Sequence, residues 1–100
     1  MRLHPDNRKE QILDAAVKVA GRPGGWSKLT REAVAREAEC ADALVSKYFG
    51  TMLTFRRTIM RAAIVRADLS VIAQGIAAGD KYAQKADADL KARALATLAA

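Results

Sequence analysis

One cysteine, one histidine and five aromatic residues are thin resources for chemistry in a chain of 100 residues. Cys40 has no second thiol to pair with, so an intrachain disulfide is excluded, which fits a reducing compartment. His4 is alone and cannot build a metal site. The histidine and the cysteine lie far apart, and no phosphate loop, nucleophile elbow or metal-spaced cluster occurs. The chain is therefore not expected to be an enzyme, and no metal or cofactor is expected. No apolar run approaches the ~20 residues of a membrane helix, and the N-terminus lacks the apolar core of a signal peptide. A soluble, cytoplasmic protein without a membrane partner is the expectation. Strand signals are also missing. Alanine dominates the 51% apolar fraction, and alanine is the strongest helix former. An all-α fold follows as the first expectation.

Positive charge is what the chain has in excess. The formal net charge is +6. Residues 1–66 hold 13 Lys/Arg against 7 Asp/Glu, a net of +6, whereas residues 67–100 hold 4 of each and are neutral. A basic portion followed by a neutral one is the pattern of a nucleic-acid surface kept apart from an assembly surface. An ordinary solvated basic surface is the alternative that charge alone leaves open. The length suits one small domain, whose core is often completed by a partner subunit.

Periodicity divides the chain into about five helices. Residues 1–7 read as an arm, with Asn7 and Glu10 spaced as a capping box. Ile12, Leu13, Ala16, Val17 and Ala20 form one apolar stripe. Gly21 ends that helix, and Arg22-Pro23-Gly24-Gly25 is the strongest breaker in the chain. Trp26 and Leu29 are expected to plug back into the core. Thr30 can cap a short second helix carried by Val34, Ala35 and Ala38, with Glu32 in its first turn. Glu39-Cys40-Ala41 reads as a tight connection. Asp42 can cap a third helix carried by Leu44, Val45, Tyr48 and Phe49. Gly50 ends it and Thr51 can cap the next. Leu53, Phe55, Ile59, Ala63, Ala67 and Val71 recur at spacings of three and four, predicting an unbroken fourth helix of about 25 residues, ~35–40 Å long. Asp80 can cap a last helix with Tyr82, Ala86, Leu90, Ala94 and Leu98 on one face.

Residues 30–49 are the informative unit. Two short helices that cross steeply with almost no linker need a small residue at their contact, an inward apolar residue in the turn and an apolar anchor on the second helix. Ala35 with Ala38, Cys40 and Val45 supply these in order, Cys40 as a small hydrophobe. With Ile12-Leu13-Asp14-Ala15-Ala16 in the first helix, a glycine-containing loop at Gly21 to Trp26, the Thr30-capped helix and the Tyr48-Phe49-Gly50 ending, residues 8–65 resemble the N-terminal DNA-binding domain of the TetR (tetracycline-repressor) family. The resemblance implies a three-helix helix-turn-helix domain, here continued by a long fourth helix and, over residues 66–100, a helical dimerisation extension. The chain departs from the family pattern at Glu39, where the family usually has glycine, and at Ala41, where it usually has a capping serine. Ser46 replaces a common tyrosine and Met52 a phosphate-contacting lysine. A non-glycine residue held at positive φ costs roughly 1–2 kcal/mol.

A recognition helix presents side chains to base edges while flanking groups hold phosphates. The expected base readers are Ala43, Leu44, Ser46 and Lys47, with Asp42 divided between a cytosine contact and a capping role. The expected phosphate contacts are Lys28, Thr30, Arg31, Tyr48, Thr51, Arg56 and Arg57. Arg2, His4 and Arg8 are candidates for an arm in a groove. About 35 residues after position 65 are too few to enclose a ~300 Å³ effector pocket within one subunit, so no small-molecule effector is expected. The reading is a homodimeric, sequence-specific regulator of transcription, a repressor at a palindromic operator in double-stranded DNA. An activator or architectural binder of the same fold, and a helical adaptor or anti-repressor that binds protein instead of DNA, are the alternatives.

Overall fold

Where the Gly21 to Gly25 breaker falls, the first helix stops. The computed structural model describes residues 5–99, among which the chain forms seven α-helices and no strand: α1 (Pro5–Gly21), α2 (Arg31–Ala38), α3 (Asp42–Phe49), α4 (Met52–Val65), α5 (Leu69–Ala77), α6 (Lys81–Gln84) and α7 (Ala88–Ala99). The all-α expectation holds. The helix count does not, because the two long C-terminal segments are each broken in two. Asn7 lies inside α1 rather than ahead of it, so the capping box with Glu10 does not form the entry and residues 5–7 are not an arm. Arg2 and His4 fall outside the described residues.

α1 is buried on more than the one stripe that periodicity suggests. Ile12, Ala16 and Ala20 have no exposure, and Ala15, Val17 and Val19 are buried as well. The reason is that α2, α4 and α5 all pack against α1. Its C-terminal carbonyls would be orphaned at the loop, and a residue far along the chain satisfies them. Gln74 Nε2 on α5 donates to the carbonyls of Ala20 (3.0 Å) and Arg22 (2.9 Å), while its Oε1 accepts from the Trp26 N–H at 2.9 Å. Ser70 Oγ donates to the Gly21 carbonyl at 2.6 Å. Trp26 and Leu29 are buried as expected. The core is wholly apolar among the described residues, its largest fully buried side chains being Phe55, Ile12, Ile59, Met60 and Ile72.

The predicted long fourth helix ends at Val65. Ala67 takes a left-handed conformation (φ 54°). Its N–H donates to the Ile64 carbonyl, and the Asp68 N–H donates to the Ala63 carbonyl at 2.8 Å, which together close a Schellman turn. Asp68 then caps α5 by accepting from the Val71 N–H. An unbroken helix would have carried Val71, Ile72 and Ala73 away from the core. The break folds α5 back across α1 and α4, and all three become buried. Gly75 does not stop a helix but sits inside α5. A Cβ there would collide with Met60 Cε and lie 2.9 Å from Ala83 Cβ, so glycine is what lets α5 approach α4 and α6. Gly79 in the left-handed region ends α5. Asp80 caps the next turn as expected, accepting from the Ala83 N–H at 2.9 Å. That helix stops at Gln84, and Asp87 starts α7 by accepting from the Leu90 N–H.

This folding back also corrects the ground on which a dimer is expected. The apolar faces of the C-terminal helices are buried within the chain, since α7 covers α5 through Leu90 and Ala94. Leu95 and Leu98 on α7, Val65 at the end of α4 and Leu53 near its start remain exposed. The described residues extend over 41 × 22 × 22 Å. No helix in them is long and apolar enough to cross a membrane.

Candidate nucleic-acid interface

α2 and α3 are two eight-residue helices separated by Glu39, Cys40 and Ala41. Thr30 caps α2, its side chain accepting from the Ala33 N–H at 3.1 Å. The turn after α2 is a second Schellman closure. Glu39 sits at φ 56°, its N–H donates to Arg36 and Ala35 carbonyls, and the Cys40 N–H donates to the Ala35 carbonyl at 2.9 Å. The turn therefore keeps the left-handed geometry that favours glycine, with a glutamate held in it. Glu39→Gly is expected to raise the stability by about 0.5–1 kcal/mol, the relief of left-handed strain being partly offset by the greater freedom of glycine in the unfolded chain. Urea unfolding followed by circular dichroism measures it. A destabilised Glu39→Gly variant would mean that the glutamate side chain contributes a contact that outweighs the strain. Cys40 is half-buried against the core, and burial pushes its thiol above the usual range, with Arg8 opposing and Asp42 adding to that shift.

Asp42 does not cap α3. The capping position is Ala41, which makes no side-chain hydrogen bond, and Asp42 is the first helical residue, exposed, where its charge complements the helix dipole. Val45 and Phe49 anchor the inner face and are buried. The Phe49 ring stacks on Phe55 of α4 with centroids 4.7 Å apart, and Lys9 Nζ of α1 lies over the Phe49 ring, 5.7 Å from its centroid. Asp42, Ala43 and Lys47 are exposed, Ser46 is partly so, and positions 43, 46 and 47 share one side of the helix. Leu44 and Tyr48 are half-buried and pack against the core, so only part of each faces outward.

The expected phosphate contacts are scattered over three places. Lys28 and Thr30 are exposed just before α2, and Arg31 opens α2 half-buried, its Nε without a hydrogen-bond partner. Thr51 is exposed at the start of α4, its hydroxyl oxygen accepting from the Thr54 N–H. Arg56 is committed inward. It donates to the Trp26 carbonyl at 2.7 Å and the Leu29 carbonyl at 3.4 Å, and its guanidinium lies 5.0 Å from the Trp26 ring centroid. Arg57, about 100° further round the same helix, leaves this group. It lies 5.2 Å from the ring centroid of Tyr82 on α6, where Arg61 (5.5 Å) and Lys85 (5.6 Å) also converge.

Other basic residues are neutralised within the chain. Glu37 pairs with Arg22 and with Lys18 (3.3 Å), and the hydrogen bonds from Arg22 and then Lys18 hold its carboxyl below the usual range. Arg66 pairs with Asp14 (2.8 Å) and Glu10 (3.0 Å). Lys47, Lys28, Arg57 and Arg61 have no ion-pair partner among the described residues. Gln74 carried no motif and was not singled out by sequence reasoning. Tyr82 was placed on the apolar face of a last helix, but not as the meeting point of cations, because Arg57 and Arg61 reach it from a helix more than 20 positions earlier. Compared with known proteins, the chain matches no family model, no curated protein and no solved structure.

Proposed function

We propose that α2 and α3 form a helix-turn-helix and that the chain is a sequence-specific, double-stranded DNA-binding regulator of transcription, acting as a dimeric repressor at a palindromic operator. The observation that carries this reading is the division of α3. Val45 and Phe49 fix its inner face, while Ala43, Ser46 and Lys47 lie on an outward side and Asp42 is exposed in its first turn. A short helix held by two buried anchors offers a rigid surface to a major groove. Lys47 donates to guanine O6/N7 or a phosphate, Ser46 donates or accepts, and Ala43 meets a thymine methyl. The set is poor in hydrogen-bonding groups, so water and DNA shape carry a large share of the recognition. The exposed entry of α2, with Lys28 and Thr30, suits a backbone phosphate. Leu95 and Leu98 supply apolar surface for pairing across a two-fold axis, which would set half-sites about 34 Å apart or a multiple of it.

Selection of bound DNA from a random duplex pool tests the reading. The expected result is one recurrent palindromic site. No enriched sequence, together with no duplex binding by fluorescence anisotropy at low salt, would reject it. The adaptor reading would then stand, and the exposed carboxylates of Glu39 and Asp42 on this surface favour it. With a site in hand, Ser46→Ala combined with Lys47→Ala is expected to weaken operator binding roughly 10-fold or more, a base contact contributing about 1–3 kcal/mol. The melting temperature should stay unchanged. Unaltered operator affinity would remove α3 as the reader. A promoter reporter separates repression from activation.

A further inference from the structure

Uncompensated positive charge also gathers where α4 meets α6, around Tyr82. A cleft of about 340 Å³ lies between α4 and α6, lined by Leu53, Arg56, Arg57, Asp80, Lys81 and Tyr82. Arg61 and Lys85 extend it, because both reach the same Tyr82 ring as Arg57, within 5.2–5.6 Å of its centroid. Arg57, Arg61, Lys81 and Lys85 are exposed, and no carboxylate pairs with any of them among the described residues. Asp80 is the one acidic residue lining the cleft, and it accepts the Ala83 N–H as the cap of α6. The Tyr82 ring attracts each cation, yet three like charges around one ring repel one another. An anion that enters between them relieves that repulsion.

The position of the cleft indicates which anion. Its α4 wall begins at Leu53, four residues after Phe49 ends α3, and Arg56 ties the same turns to the Trp26–Leu29 segment that leads into α2. Arg57 and Arg61, about one turn apart on α4, are separated by about 6 Å along its axis at ~1.5 Å per residue, close to two phosphate steps of one strand at ~3.4 Å of axis each. We infer that the α4–α6 cleft, through Arg57, Arg61, Lys81 and Lys85, is a second phosphate-binding surface that holds the backbone of the same duplex outside the half-site read by α3. This rests on the DNA-binding reading above and adds to it a footprint longer than the half-site. Such contacts are sequence-independent and change the salt dependence of binding rather than its specificity.

The test compares the wild type with the triple variant Arg57→Gln, Arg61→Gln, Lys85→Gln over about 50–300 mM KCl. Arg56 is left intact because it holds the loop before α2. Two selected duplexes are used, one trimmed to the recognised site and one flanked by roughly a helical turn on each side. For the flanked duplex the slope of log affinity against log salt should be smaller in the variant by about 2–3 per protomer, or roughly 5 for the dimer, at ~0.9 per phosphate contact. The trimmed duplex should show little difference, and base preference should be unchanged. Arg57→Lys with Arg61→Lys should restore the slope, which a purely structural role of the guanidiniums would not do. Circular dichroism and melting exclude loss of fold in the Gln variant. A slope unchanged by the Gln variant, while Ser46→Ala with Lys47→Ala still weakens binding, overturns the inference and leaves the DNA reading standing. Saturable binding of inorganic phosphate at Tyr82 and its arginines by NMR, with the DNA slope unaffected, overturns it in favour of a small phosphorylated ligand. A wild-type protein that binds no duplex at low salt overturns both readings.

Discussion

Phe55→Ala is expected to lower the stability of the chain by about 3–5 kcal/mol, the range for truncating a buried phenylalanine. Phe55 is 1% exposed and is the largest of the fully buried side chains among the described residues. Its ring stacks on Phe49, the last residue of α3, at an interplanar angle of 29°. The pair therefore ties α3 to α4, and α1 approaches it through Lys9. A domain of this size has a total stability of only about 5–15 kcal/mol, so the loss is a large share of the whole. Urea unfolding should show a midpoint lower by about 1 M or more, with m near 1–3 kcal/mol/M. A loss below about 1 kcal/mol would mean that the site collapses around the missing ring. The reading surface depends on this pair. If α3 binds DNA, the variant should lose operator affinity through loss of fold rather than loss of a contact.

Gly25→Ala should be as damaging, for a backbone reason. Gly25 is buried in the turn after α1, and its N–H donates to the Arg22 carbonyl at 2.7 Å. A Cβ at this position would overlap the Val19 carbonyl oxygen and sit 2.9 Å and 3.0 Å from those of Arg22 and Ala20. All three are backbone atoms at or just past the end of α1, so no side chain can swing aside and the loop itself has to move. Overpacking costs typically 1–3 kcal/mol, and here about 3 kcal/mol or more is expected because the displaced loop carries Trp26. That residue is buried, its N–H bonded to Gln74 and its carbonyl to Arg56. A red-shifted tryptophan emission before global unfolding would report the displacement. Gly24→Ala is the control. It has open space around it, the nearest atom being Lys28 Cε at 3.9 Å, and its φ of 70° limits the cost to roughly 1–2 kcal/mol. Equal losses at the two positions would reject the steric account of Gly25.

Much of the front half of the fold was legible. Thr30, Thr51 and Asp80 cap where a short polar residue precedes an apolar period, because an N-cap satisfies amides that the helix itself cannot. Gly21 and Gly50 bound their helices, and Trp26 plugs the core after the breaker. The anchors Val45 and Phe49 and the exposed Lys47 followed from helical spacing alone. Asp42 was harder. A capping residue and a first-turn acid are both acidic residues at a helix start, and one position of register separates them.

The break at Ala67 was not legible, because the apolar period of α4 runs through it without interruption. Asp68 was the one local signal, and a cap residue inside a continuing period is weak on its own. Nor could the sequence assign Arg56 and Arg57. They are adjacent, equally basic and equally suited to phosphate, yet one is bound to the Trp26 and Leu29 carbonyls while the other meets Tyr82. The sequence by itself determined that the chain is helical, where its first helices begin and end, and which residues of α3 face inward. Those properties are local, set by propensity, capping and period. The tertiary structure alone decided that α5 turns back onto α1, that Gln74 caps the end of α1, and that Arg57, Arg61 and Lys85 share one ring. Each of these joins residues from different helices, and only the meeting of distant surfaces in the folded chain determines which groups are satisfied and which charges are left open.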